Sequence, residues 1–576
     1  MEKSITAKAL RQKSREIQAD QIKHNMRIAI LGYRSTQFLS KFLIQAGAIQ
    51  GLDIEIYEAD YIQVEMEVMN PASRLYTFKP DFIWIINSTY FLQKLFYKSA
   101  VKKDFGKAIS QKYQGLAEQV RAHSSAQLIF NNFFEIPDSI YGHFSNKTSI
   151  SFLNQLRRIN VSFMDLAESI QELHLFDLNS MIHTKGLDRV LDSGLHINAD
   201  IPFSMDFEAE IAWDFASLLT VFKGEIKKCL ILDLDNTLWG GVIGDDGLEG
   251  IQIGSLGIGK AFTELQGWAK ALKERGIILA ICSKNTEEIA KEVFEKHEEM
   301  ILRLDDIAVF VANWSNKADN IRHIQQVLNI GFDSMVFLDD NPAERALVQK
   351  ELPEVSVPDL PQDPAEYLPF LRKLRLFETL SLSSLDKDRT RQYQEEAQRR
   401  SMQSSFSNME DYLISLNMKG KILPFQDQHI ARISQLSQRS NQFNLRTIRY
   451  TESEIKSLQE NSLYLDFQVS LEDTYGTYGL ISIVLLKKEN SDRLFIENWL
   501  MSCRVLKRGL EKFVLNHLLE KAREIGIKKI VGEYLPTAKN KIVEHHYKEL
   551  GFESLGNNQW ELEVENYEAK THFINI

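Results

Sequence analysis

The sequence predicts a multidomain α/β protein: two doubly wound parallel-sheet α/β domains followed by an α+β domain. Three observations predict it. The chain has 576 residues, several times the usual size of one domain. Short apolar runs alternate with amphipathic stretches twice, over residues 26–215 and again over 225–375. Such alternation builds a parallel sheet with helices on both faces. From Lys419 the alternation stops and neighbouring strands follow one another, an α+β order.

Each element has its own warrant. Residues 1–25 are polar and charged and read as a helical arm. In the first domain, apolar runs predict strands at Arg27–Leu31, Asp53–Tyr57, Phe82–Ile86, Gln127–Phe130 and Leu173–Leu178. In the second, strands are expected at Cys229–Leu234, Ile277–Cys282, Ile307–Val311 and Ser334–Leu338, with helices such as Ala261–Glu274 and Thr286–Lys296 between them. Residues 376–418 form a polar, helix-bearing linker, for which a solvated spacer and an interaction surface are equally open. The third domain spans 419–576. It opens with helices at Gln428–Leu436 and Thr451–Asn461, followed by strands at Leu463–Ser470, Gly479–Lys487 and Arg493–Met501. A long helix, Gly509–Ile525, a strand, Lys529–Tyr534, and a closing helix ending at Leu550-Gly551-Phe552 complete it.

Composition narrows the class. A net charge of −11 and a pI near 5.7 argue against a general nucleic-acid or anionic-membrane binder. Three scattered cysteines, Cys229, Cys282 and Cys503, are too few for a disulfide scaffold and fit a reduced, cytoplasmic setting. The polar N-terminus lacks the apolar stretch of a signal peptide, and no run approaches the ~18 apolar residues of a membrane span.

The chemistry concentrates in "LDLDNTLWGGVIGDDG". Asp233 and Asp235 alternate at the end of a strand, so they share a face at the sheet edge where α/β proteins bind ligands. Two acids there suit a hard cation such as Mg²⁺, or a division of labour between nucleophile and proton donor. A chance D-x-D, or acids capping the next turn, is the alternative. Later strand ends of the same domain add polar groups suited to phosphate. Ser283 in "ICSKN" places a hydroxyl at a helix start, with Asn285 beside it; Lys317 supplies a cation; Asp339 and Asp340 end the fourth strand. Acids, hydroxyl and lysine in this order suit Mg²⁺-assisted phosphoryl transfer. Cys282 precedes Ser283 at the same strand end, where a helix N-terminus would favour a thiolate; a buried small hydrophobe is the rival reading. Cys229 and Cys503 read as core.

These motifs resemble the haloacid dehalogenase superfamily. The resemblance implies Asp233 as the nucleophile that forms an aspartyl-phosphate and Asp235 as general acid/base. Ser283 and Lys317 would be the second and third motifs, and Asp339 and Asp340 the last acidic motif. Asp340 and Asp233 would ligate Mg²⁺ by side chain, together with the Asp235 backbone carbonyl. The narrower words "LDLDNTLWGGVIGDDG" and "ICSKN", with "RIAILGYRST" near the N-terminus, resemble the FkbH family over nearly the whole chain. That family takes 1,3-bisphosphoglycerate, removes its phosphates and loads the glyceryl group onto the phosphopantetheine thiol of an acyl carrier protein in polyketide pathways. A thiol that attacks the acyl phosphate would keep its energy as a thioester, and Cys282 is the candidate; Trp239, Gly240 and Gly241 read as a flap over the site, with a plain hairpin turn as the rival.

The outer domains resemble other folds. "ILGYRSTQF" is similar to a degenerate SGNH-hydrolase start with Ser35 as its nucleophile and Asn87 as a weak echo; residues 1–215 lack the late D-x-x-H, which points to a docking or structural role. The last domain resembles the acetyltransferases of the GNAT type, which hold a pantetheine arm beside a splayed strand and its pyrophosphate at a helix start. Arg504-Val505-Leu506-Lys507-Arg508-Gly509 stands at that helix start, with Lys507 where the first glycine belongs. Arg504, Arg508 and Gly509 are thus the expected contacts for CoA or for a carrier's phosphopantetheine arm. Three functions follow: a glyceryl-loading enzyme, a plain Mg²⁺-dependent phosphatase, and a scaffold that recruits carrier proteins.

Overall fold

The apolar run Phe82–Ile86 is buried at every position, as a strand covered on both faces must be. It is β3 of a five-stranded parallel sheet with β1 (His24–Gly32), β2 (Leu52–Glu58), β4 (Gln127–Asn131) and β5 (Leu173–Phe176), in the order β2-β1-β3-β4-β5. Strand order reverses between β1 and β3, so the chain segments leaving those two strands diverge around a crevice. In this computed structural model residues 5–18, 21–22, 24–380, 395, 399, 402, 406, 408–537 and 539–575 are described. The chain divides into two units, residues 2–223 and residues 224–576.

Two expectations for the first unit change. The N-terminal stretch does contain a helix, Ala7–Ser14, but it is no free arm. Leu10 is fully buried, and the Ala7 N–H donates to Asp206 Oδ1 at 2.9 Å. The domain also runs past residue 215, because the helix Met205–Phe222 continues to lay Phe215 flat on Trp84, ring centroids 3.6 Å apart.

The second unit opens with a four-stranded parallel sheet, β6 (Cys229–Leu232), β7 (Ile278–Ser283), β8 (Ile307–Ala312) and β9 (Met335–Leu338), in the order β8-β7-β6-β9. Alternation sends Leu230, Leu232, Leu279 and Ile281 into one core and Cys229, Ile231, Ile278 and Cys282 into the other. β6 stops two residues earlier than expected, at Leu232. Asp233 extends it by one bond, its N–H donating to Leu338 O at 2.9 Å.

The rest of the second unit is a nine-stranded mixed sheet. Its strands are β10 (Met418–Leu423), β11 (Phe443–Asn444), β12 (Tyr464–Asp473), β13 (Gly476–Lys488), β14 (Arg493–Met501), β15 (Lys529–Glu533), β16 (Glu553–Gly556), β17 (Gln559–Glu563) and β18 (Ile574–Asn575). β12, β13 and β14 pair antiparallel, and β15 runs parallel to β14. This is the α+β order expected, with the helix Leu510–Glu524 between β14 and β15. The expected closing helix is a single turn, His546–Glu549. Most of the 376–418 linker lies outside the described residues, as does the side chain of Cys503. Among the described residues no helix is long and apolar enough to cross a membrane.

Candidate active site

The C-terminal ends of β6, β7, β8 and β9 lie side by side, so whatever follows each strand meets at one edge. Asp233 follows β6, Ser283 closes β7, Lys317 starts the helix after β8, and Asp339 and Asp340 follow β9. The structure brings all five together. Lys317 Nζ lies 2.9 Å from Asp233 Oδ1 and also donates to Asp339 Oδ2. Ser283, 1% exposed, lies at the same sheet edge, and its hydroxyl contributes to holding the Asp233 pKa down. Carboxylate oxygens of Asp233, Asp339 and Asp340 lie within 4.8 Å of one another. Lys317, Asp233 and Asp339 are 3%, 5% and 0% exposed.

Three acids and one ammonium leave an excess of negative charge in a buried place. The consequences appear in the ionisation of each group. Burial raises Asp233 against the pull of Lys317 and Ser283. Asp339 is pushed up to about 6, first by burial and then by the charge of Asp233, with Lys317 opposing. Asp340 is raised by burial and by Asp339. For Lys317 burial opposes the charge, yet Asp233 and Asp339 outweigh it and hold the ammonium above its ordinary range. An all-oxygen donor set with surplus negative charge fits a hard divalent cation, with Asp233, Asp339 and Asp340 as the residues that would hold it. When bound, Mg²⁺ offsets the repulsion between phosphate and carboxylate.

Asp235 is held apart from that cluster. Its Oδ1 accepts from Trp239 Nε1 at 2.9 Å and from the Ile243 N–H at 3.1 Å, and its Oδ2 accepts from Asn285 Nδ2 at 2.9 Å. Burial raises its pKa, which these donors partly reverse. A carboxyl fixed in place and biased toward protonation suits a proton donor. Its side chain therefore does not join the metal cluster.

The expected flap reads differently. Trp239 is fully buried, and its indole N–H holds Asp235. Asn285 likewise binds Asp235. Gly240 is glycine because a Cβ would sit 2.9 Å from Phe262. Gly241 has φ of +92°, and a Cβ there would lie 2.5 Å from Asp246. Both glycines answer to the protein's own packing. Cys282 is fully buried, donates weakly to Lys317 O at 3.7 Å, and burial pushes its thiol well above the ordinary range, which weighs against a standing thiolate. The helix start that was to lower it is outweighed by desolvation. Cys229 is core, as expected.

Sequence reading missed the groups that hold the acidic turn. Arg345, 5% exposed, donates to Asp339 O at 2.8 Å and Asp340 O at 2.7 Å, and reaches Asp359 at 2.8 Å. The Thr237 hydroxyl accepts the Asp340 N–H at 3.1 Å. Arg345 lies one helical turn after Pro342, the only signal that a cation would fold back on the acids.

In the outer domains the residues singled out in the sequence make bonds within the protein. Asn87 gives its amide to Asn131 O at 2.5 Å and accepts from Tyr113 at 2.5 Å, so it is not poised toward Ser35 chemistry. Ser35 is held through its N–H, which donates to Asp200 O at 3.3 Å. In the C-terminal domain Arg508 is buried against Tyr478 and lies 3.6 Å from Asp473 Oδ2. Arg504 Nε donates to Ser502 Oγ at 3.3 Å, and Gly509 caps the helix with φ of +78°.

Comparison with known proteins agrees with the site. The FkbH N-terminal domain model matches residues 27–219. No curated protein matches the chain. Among solved structures, the N-terminal part of protein BF1531 from Bacteroides fragilis, containing a phosphatase domain complexed with Mg, is 44% identical. The match covers 66% of this chain and 100% of that one, with a TM-score of 0.62. The ribosomal-protein-S18-alanine N-acetyltransferase of Escherichia coli is 16% identical over 27% of this chain and 99% of that one, at a TM-score of 0.20. The spermidine N-acetyltransferase of Vibrio cholerae, solved with CoA and spermine, is 16% identical over 26% and 98%, at 0.22. Similarity at that level carries no argument about the last domain's activity. With a phosphatase-domain structure matched over its whole length and the N-terminal domain recognised separately, the chain belongs to the FkbH family and contains a phosphatase domain of the haloacid dehalogenase type.

Proposed function

We propose that this protein removes phosphate from 1,3-bisphosphoglycerate and delivers the glyceryl group to the phosphopantetheine thiol of an acyl carrier protein. The observation that carries the phosphoryl half is Lys317, its ammonium clamped between Asp233 and Asp339 inside an over-negative cluster. An Asp233 oxygen attacks phosphorus, and the bond from phosphorus to the substrate oxygen breaks. Asp235 gives that oxygen its proton. Water then attacks the aspartyl-phosphate, giving its proton to Asp235 and restoring the Asp233 carboxylate. Lys317 and Ser283 hold charge on the transferring phosphoryl oxygens.

The acyl half is supported by family membership and by a thiol, Cys282, one residue before Ser283. Its burial and raised pKa oppose a standing nucleophile and favour a second reading, a plain Mg²⁺-dependent phosphatase of a small phosphorylated metabolite. Intact mass after incubation with 1,3-bisphosphoglycerate, Mg²⁺ and a carrier protein bearing a free phosphopantetheine thiol separates them. A glyceryl adduct lost in Cys282→Ala supports relay through that thiol. A glyceryl carrier formed equally by both chains means direct capture by the carrier. Phosphate release without either product leaves the plain phosphatase. No phosphate release would sink both and leave a recruiting scaffold.

A further inference from the structure

β14 and β15 pair only where they begin, Arg493–Ile496 against Lys529–Gly532, and then part. The edge of β14 beyond that point would be the natural place for a pantetheine arm to pair. It is taken by the chain itself. Phe443 and Asn444 of β11 pair with Met501 and Leu500, and the Leu445 N–H donates to Trp499 O at 3.2 Å. The other edge of this inserted segment is held as well. The Leu535 N–H donates to Leu445 O at 2.9 Å, and Asn540 Nδ2 donates to Asn444 O at 3.0 Å. Arg446 then spans the opening, bonding Glu497 at 2.9 Å on one strand and Glu533 at 2.8 Å on the other. Phe443, Asn444 and Leu445 are 3%, 0% and 0% exposed.

The cation nearest the neighbouring helix start is taken too. Arg508 faces Asp473, which also pairs with Arg399 at 2.8 Å. Both arginines there are already matched to Asp473 and are not left over for a phosphate. The inserted segment also continues into a joint with the phosphatase domain. Lys228 Nζ donates to Arg439 O at 2.9 Å, Asn441 Nδ2 donates to Gly224 O at 3.3 Å, and Lys539 pairs with Asp333 at 2.6 Å.

We infer that the C-terminal domain of this chain does not bind CoA, and that residues 443–446 are a built-in strand that closes the opening, continuous with the joint to the phosphatase domain. This inference is independent of the substrate proposed above. The opening cannot admit a pantetheine arm without breaking the β11–β14 pairing, the Leu445, Leu535 and Asn540 hydrogen bonds and the Arg446 bridge.

CoA titrated into the full chain tests the first half. Calorimetry is expected to show no binding at millimolar CoA; a Kd below about 100 μM would overturn it. Hydrogen exchange tests the second half. The Leu445 and Leu535 amides should fall among the slowest in the domain, and Arg446→Ala should speed exchange at Leu445 by about tenfold or more. Fast exchange in the native chain, or unchanged protection in Arg446→Ala, would overturn the closure. Circular dichroism of Arg446→Ala confirms that the fold is retained.

Discussion

The two parallel sheets end in opposite ways. Beyond β6–β9 stand Asp233, Ser283, Lys317, Asp339 and Asp340, charged groups whose signs do not cancel. At or just beyond the ends of β1, β3 and β4 stand Arg34, Asn87 and Asn131, and each finds its complement within the same domain. Arg34 meets Glu208 in a two-pronged pair at 2.6 and 3.0 Å, both side chains buried. Asn87 and Asn131 bond each other, the Asn87 N–H giving 2.8 Å to Asn131 Oδ1. The sheet architecture is shared; what differs is whether the strand-end groups are left wanting a partner. A site for a cation and a phosphate has to be unfinished by its own chain, and a structural knot is finished.

That contrast can be broken at its strongest point first. Asp233→Asn removes the attacking oxygen's charge, and phosphate release should fall on the order of 10⁴-fold. A loss under tenfold would mean that Asp233 is not the nucleophile. In the finished sheet the large effect is on stability. Arg34→Met leaves Glu208 charged and unpaired in the interior, which should cost about 3–5 kcal/mol in denaturant unfolding of the N-terminal domain. Restoring balance with Arg34→Met/Glu208→Leu should recover most of it; no recovery would show that packing, not charge, sets the cost. Lys317→Ala removes the cation that the transition state leans on, and kcat should drop by about 10²–10³-fold. A kcat within threefold of the native value would reassign Lys317 to a structural role.

Much of this was legible in the sequence because it follows from alternation. Strand ends set by Asp233, Ser283 and Asp339 are spaced by βα units, and parallel pairing then brings them to one edge without further information. What stayed hidden depends on side chains closing distances that spacing does not encode. Trp239 reads as a flap until its indole is seen on Asp235. Cys282 reads as a candidate thiolate because the helix start is local, whereas the desolvation that raises it comes from residues distant in sequence. β11 was unreadable for the same reason: two residues, Phe443 and Asn444, form a strand only because β14 and β15 leave an edge open. The N-terminal helix was visible as a helix, but its burial rests on Asp206, about two hundred residues away.

The smallest effect tests how far the finished sheet depends on staying neutral. His174 on β5 pairs with Gln127 at 2.9 Å, and burial lowers its pKa to about 4, against a weaker upward pull from Glu172. An unfolded histidine titrates near ~6.5, so the unfolded chain binds the proton first as pH falls. The neutral imidazole therefore contributes stability that is complete above about pH 6.5 and is lost progressively toward pH 4. Between pH 7 and pH 5 the native chain should lose about 1–2 kcal/mol more than His174→Asn, measured by urea unfolding of the N-terminal domain at both pH values. Equal losses in the two chains would show that the ring protonates in place, through a folded structure that admits the charge. A larger loss in His174→Asn would reverse the sign and place the protonated form in the native state. Either result would remove the distinction between a sheet built to hold charge and one built to exclude it.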